Sequence, residues 1–241
     1  MFSIFKKEIR AFFSNATGYI VIVIFSVFNG LLLWIIPGEY NILDNGYANI
    51  DGFFYLAPWM FLFLCPAISM RFFAEEKQTG TWELIITKPI SKYQIVLGKY
   101  FAGLLLVVVA LFPSLIYYFS VSYLAEPTGN VDSGAFWGSF IGLIFLASVY
   151  LAIGTFASSL SKNQIISFVF SVVISLFLYY GFEVLTGFFT SGQTIQILDS
   201  LGIHSHYKSI SRGVIDSRDL LYFVVLSGIF ILSTVWKIKK L

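Results

Sequence analysis

The sequence predicts an all-α integral membrane protein, an N-terminal interfacial helix followed by six transmembrane helices. Three observations carry this expectation. First, 58% of the residues are hydrophobic and only 12% are charged, whereas a typical soluble domain carries about 25% charged residues. Second, the charges fall between long uncharged stretches instead of being scattered. Third, segments rich in Lys and Arg alternate along the chain with segments that carry only acids. A water-soluble fold of 241 residues could not hide so much apolar surface, because a large share of any fold still faces solvent.

The expected spans are residues 18–36, 52–72, 93–122, 135–160, 164–186 and 219–236. The hydrocarbon core needs about 20 apolar residues, and the uncharged core of the last segment is just sufficient. Backbone groups in lipid must be satisfied within the segment, so these runs read as helices. Pro58, Pro66 and Pro113 fall inside spans, where kinks are tolerated. The first uncharged stretch, residues 11–38, is far longer than a signal-peptide core and reads as a retained helix. The lone cysteine, Cys65, permits no internal disulfide and reads as a packing residue.

Lys6, Lys7 and Arg10 precede span 1, Arg71, Lys77, Lys88 and Lys92 follow span 2, Lys162 follows span 4, and Lys237, Lys239 and Lys240 end the chain. The other loops carry Glu39, Asp44, Asp51, Glu126 and Asp132. The positive-inside rule then puts both termini in the cytoplasm. The loop of residues 187–218 dissents: it is placed outside yet holds Lys208, Arg212 and Arg218, offset by Asp199, Asp216 and Asp219. In residues 2–15, Phe2, Phe5, Ile9, Phe12 and Phe13 recur at helical spacing opposite Lys6, Lys7 and Arg10. That pattern fits a helix lying in the membrane interface, and also a plain basic flank.

The segment of residues 74–91 stands out. Span 2 should run on as a helix through Glu75, Glu76 and Lys77. Gly80 permits a turn and caps a short helix with Glu83 in its first turn, where negative charge suits the dipole. Pro89 ends it, and Ser91 with Gln94 opens span 3 as a capping box. A short helix that exposes Trp82, Leu84, Ile85 and Ile86 fits two uses, docking of a partner or anchoring on the membrane surface.

The run AEEKQTGTWELIITKPISKYQIVLGK, residues 74–99, resembles the cytoplasmic loop of type-two ABC exporter permeases. Glu75, Glu76, Gly80, Thr81, Glu83, Leu84, Thr87, Pro89, Gly98 and Lys99 match that family's pattern. The resemblance implies that this loop, with Lys77, Thr79 and Trp82, is a coupling helix fitting a cleft on a separate ATPase. The stretch from His206 to Leu220 is similar to that before the last span in permeases of the gliding-motility (Gld) branch, and permeases associated with copper-enzyme maturation have a similar one. In the family this region forms external re-entrant half-helices between spans 5 and 6. The chain fits: Gly181, Gly187 and Gly192 break it into pieces too short to cross.

The resemblance implies an ABC ATPase partner, a second permease copy or a related permease, an auxiliary membrane protein with an external domain, and a place in the bacterial inner membrane. No nucleic acid is expected, and no cofactor bound directly; ATP and Mg would enter through the ATPase. The chain itself lacks a GxxxxGK[ST] phosphate loop, an HExxH zinc site and a GxSxG elbow, so it reads as a non-catalytic subunit. Glu183 is the one acid in apolar surroundings, a candidate intramembrane or external site. His204 and His206 form His-x-His without a clear third ligand, which is weak support for a metal. A scaffold or force-coupling subunit of a motility or secretion complex is the alternative. A secondary transporter would need more ionisable groups in its spans.

Overall fold

The computed structural model describes residues 1–213 and 216–240. Val214 and Ile215, within the stretch before the last span, lie outside the described residues, as does Leu241. Helix α1 (Phe2–Phe13) is followed by α2 (Ala16–Gly30), which runs on through a wider π-type turn to Ile35. A helical column then combines α3 (Asp51–Ser69) and α4 (Arg71–Gln78), and the short α5 (Thr81–Ile86) comes next. Helices α6 (Lys92–Leu111) and α7 (Leu115–Leu124) are joined by a 3-10 turn holding Pro113, and α8 (Ser133–Leu160) follows. Helix α9 (Gln164–Leu176) passes through a second π-type turn into α10 (Phe182–Thr186), and α11 (Gly192–Leu201), α12 (Ile203–Ile210) and α13 (Ser217–Lys239) complete the chain. Six of these columns are long and apolar enough to cross a membrane. No strand occurs among the described residues.

Several helix starts are fixed by caps readable in the sequence. Ser91, Asp132, Asn163 and Asp216 each accept a hydrogen bond from a backbone N–H in the first turn of α6, α8, α9 and α13, satisfying donors that a helix start leaves free. Helix ends are capped by basic side chains at one end of the molecule. Lys77 donates to the Ser159 carbonyl at the end of α8, and Lys92 donates to the Ile238 carbonyl at the end of α13, 2.8 Å. Cations suit helix C-termini. This basic end gathers α1, α4, α5 and the start of α6.

Helix α8 is the hub. Most of it is buried, whereas most of α2, α9 and α13 is not. It packs against α3, α4, α6, α9, α12 and α13. Close approach needs small residues. Ser167, Ser171 and Ser175 form the buried stripe of α9. Gly154 of α8 lies so near Ser69 and Ser171 that an added Cβ would collide with the Ser69 hydroxyl.

Two irregularities in the α3–α4 column are repaired by side chains far along the chain. Between α3 and α4 the helix breaks at Met70. There Ser158 of α8 accepts from the Phe73 and Ala74 N–H groups (3.0 and 3.1 Å) and donates to the Met70 carbonyl (2.9 Å). One hydroxyl thereby uses its single donor and both acceptor sites. Higher up, Pro58 has no N–H and cannot bond to the Phe54 carbonyl four residues earlier. The Tyr207 hydroxyl of α12 donates to that carbonyl instead, at 2.8 Å and fully inside. Tyr207→Phe should therefore lower stability by about 1–3 kcal/mol, the cost of a buried acceptor left unsatisfied. Thermal unfolding of the purified variant in detergent measures this, and an unchanged midpoint would show that the bond carries no stability.

Candidate functional site

The basic end contains a buried ion cluster assembled from three helices. Lys99 of α6 is 1% exposed. Its ammonium lies 2.8 Å from Glu8 Oε1 of α1 and 2.8 Å from Glu76 Oε1 of α4. Lys7 reaches the same Glu76 oxygen at 2.6 Å from the solvent side. Helix α1 can come this close because α6 offers Gly98, where a side chain would press on Met1 and Ile4. Partial burial would lower the Lys7 pKa, but the hydrogen bond and charge of Glu76, with the charges of Glu8 and Glu75, outweigh it and leave the ammonium raised above its usual 10.5. A pocket of 210 Å³ opens beside the cluster between α1 and α4.

The cluster connects to α5 through aromatic rings. Lys99 sits 5.3 Å from the centroid of Phe73, and Phe73 meets Trp82 edge-on at 5.6 Å. Gly80, with φ of 73°, turns the chain between α4 and α5. Only glycine adopts such a φ cheaply. The hydroxyls of Thr79 and Thr81 lie 2.9 Å apart, and Thr79 also donates to the Glu75 carbonyl, at 2.9 Å. Thr87 donates to the Leu84 carbonyl at 3.0 Å and closes the other end of α5. Pro89 lies beyond, exposed.

The expected loop residues thus separate into two groups. The helix through Glu75, Glu76 and Lys77, the Gly80 turn and the Ser91 start are where the sequence puts them. Trp82 is not: the expected exposed anchor is 7% exposed and packed on Phe73. The short α5 has only one side against the protein, and the largest apolar ring takes it. Glu76 likewise turns inward, while Glu75 stays half-exposed in a pair with Arg71 at 3.2 Å. The face left open carries Glu83, Leu84, Ile86, Thr87 and Lys88, with Leu84 66% exposed. The aromatic stripe expected on α1 also divides. Phe12 points inward with Ile4 and Glu8, and Phe2 stays exposed, stacked on Phe5. The sequence does not reveal this inward face because Glu8 interrupts it, and only the distant Lys99 makes Glu8 an inward residue.

At the opposite end, His204 and His206 diverge. His204 Nδ1 meets Glu183 Oε2 at 2.8 Å, and His206 Nδ1 meets Asp219 Oδ1 at 2.7 Å. The other His206 nitrogen faces the Ser200 carbonyl at 2.9 Å, and its ring stacks on Tyr222. Among the described residues no group of three His, Cys, Asp or Glu could hold a metal. Glu183, 44% exposed, lines a 760 Å³ cavity.

A polytopic helical protein with six membrane-length apolar columns and a short helix pinned at its basic end is the class these features define, a multi-pass membrane component. The model of the ABC-2 family transporter proteins matches residues 34–201, more than half of the chain, and the chain belongs to that family. It is a transmembrane ABC transporter permease, not itself catalytic, and family membership implies an ABC ATPase partner. A search of curated proteins gives no match.

Lys99→Ala should cost about 3–5 kcal/mol, because Glu8 and Glu76 then lose their buried cation and keep only the half-exposed Lys7. Adding Glu76→Gln should restore part of that loss; simple additivity in a thermal double-mutant cycle would deny the coupling. The raised Lys7 pKa fixes a sign as well. Its stabilising contribution is complete below pH 10.5 and is lost as pH rises through the higher folded value. The side chain is 55% exposed, so the effect is small. A spin label at Ser3→Cys should gain mobility only above that pH.

Proposed function

We propose that α5 is the coupling helix of this permease and that a separate ABC ATPase docks on its open face from the cytoplasm. The observation that carries the proposal is the split of α5: Trp82 holds it to the buried cluster while Leu84 and Ile86 stand in the open beside Glu83 and Lys88. An exposed apolar pair on a rigid base suits a partner's cleft better than water. The basic end then lies in the cytoplasm, with both termini, in agreement with the positive-inside rule. Helix α1 lies along the membrane surface, its exposed Phe2 toward lipid. Helices α10 to α12 form re-entrant elements on the outer side of the bacterial inner membrane.

Two permease chains, identical or related, would complete the path, each with an ATPase subunit holding ATP and Mg. The similarity of residues 206–220 to the gliding-motility branch supports that role and an auxiliary subunit with an external domain. Nucleotide-driven motion moves the permease only if its two states bind the closed ATPase unequally.

Purification in mild detergent, followed by identification of co-purifying chains, tests the reading. A Walker-type ATPase at equal stoichiometry is expected. Leu84→Asp should weaken that association about tenfold or more, equivalent to about 1.4 kcal/mol, without changing thermal stability. Glu83→Lys should act in the same direction. Glu76→Lys should instead damage folding, because its carboxylate belongs to the cluster. Wild-type association by Leu84→Asp, or a lone stable chain, would sink the proposal.

A further inference from the structure

Helix α3 is buried except along one stripe. Tyr55, Trp59, Phe63 and Ala67, four residues apart, line that open face, with Tyr55 and Phe63 more than half exposed. Two cavities share the stripe, and Trp59 lines both. The one nearer the basic end is a 460 Å³ groove between α2, α3 and α9, and every residue lining it is apolar; Ile24, Phe28, Met60, Phe63 and Phe168 form its walls.

The other, of 760 Å³, is walled by the rings of Tyr40, Tyr55, Tyr179 and Tyr180. Trp59 stands between the two, 5.8 Å from Tyr179 and 5.8 Å from Tyr180. Three carboxylates, Glu39, Asp51 and Glu183, also line this chamber, against the cation Lys208 and His204, which faces Glu183. With His204 neutral, the chamber carries a net charge of −2 (three acids against one lysine).

We infer that the two cavities form one site for an amphiphile with an ammonium head group, its alkyl chain in the groove and its head in the aromatic, acidic chamber. The split at Trp59 sets the shape, since one ligand must be apolar on one side of the indole and polar on the other. The alkyl groove alone gives no selectivity, because lipid tails are as apolar as its walls. Selection therefore falls to the chamber. Ring faces carry negative quadrupole charge and attract a cation held within about 6 Å. The net acidic lining adds to that attraction and repels an anionic head. A chamber of this size falls within the range of small-molecule sites.

This deepens the permease reading only in treating the ligand as cargo. Binding itself needs no ATPase, so failure here leaves the α5 proposal standing. The test is scintillation-proximity binding of tritiated dodecyltrimethylammonium to the full chain in dodecyl maltoside. Saturable binding is expected, with affinity rising along the series from tetramethylammonium to the dodecyl compound. Competition by unlabelled dodecyltrimethylammonium should exceed that by dodecyl sulfate by about tenfold. The double variant Glu39→Gln/Asp51→Asn, altered only at exposed positions, should bind about tenfold more weakly. Ala67→Trp, which fills the groove, should weaken the dodecyl compound and spare tetramethylammonium. No saturable binding above the maltoside background overturns the inference. So does equal competition by dodecyl sulfate, or affinity independent of chain length; these arms use the unaltered chain.

Discussion

A lysine ammonium removed from water must be matched by acceptors or it destabilises everything around it. Lys99 is that group in this protein. Glu8 and Glu76 match it, and they come from α1 and α4. The pairing dictates the architecture of the basic end. Helix α1 must lie across α6 at Gly98, α4 must extend past Met70 to deliver Glu76, and Phe73 must sit over the ammonium. Trp82 then packs on Phe73, so the position of α5 follows from the position of one charge.

The same requirement, that a polar group away from water be satisfied, explains two polar residues deeper in the bundle, Ser158 and Tyr207. Ser158 fills the break at Met70, and Tyr207 takes the carbonyl that Pro58 orphans. Each repair joins the α3–α4 column to another element, the first to α8 and the second to α12. Breaks in a column that would otherwise loosen it become its points of attachment, because in apolar surroundings a free backbone group costs more than ordering a side chain to meet it.

Local signals were readable and long-range ones were not. The six apolar columns follow from hydropathy and charge placement along the chain. The caps at Ser91 and Asp216 and the turn at Gly80 follow from residues a few positions apart. Which face of α1 or α5 turns inward depends on partners far away in sequence. Glu8 and Lys99 are 91 residues apart, and nothing near Glu8 announces its partner. Trp82 reads as an exposed anchor from composition alone, since an indole suits a membrane interface as well as a buried contact. The His-x-His spacing was weak support for a metal, and a two-residue step, about 200° of helix rotation, sends the two rings to different carboxylates. Pro58 was visible as a kink, but the hydroxyl that compensates it lies on α12.

The α3–α4 column connects the buried ion cluster to both cavities. Its upper part carries the open stripe from Tyr55 to Ala67, and its lower part carries Phe73 and Glu76. On the proposed docking at α5, a displacement there would meet Trp82, Phe73 and then this column, which lines both cavities. Ser158 decides how rigid that delivery is. It clamps the junction at Met70 to α8, the most buried helix, so α4 cannot swing while α3 stays still unless three hydrogen bonds break together. Coupling through a rigid element with discrete packings is a physical route between distant sites. On that reading the route is a single helical column, held at its junction by a serine on its neighbour that lies in neither site.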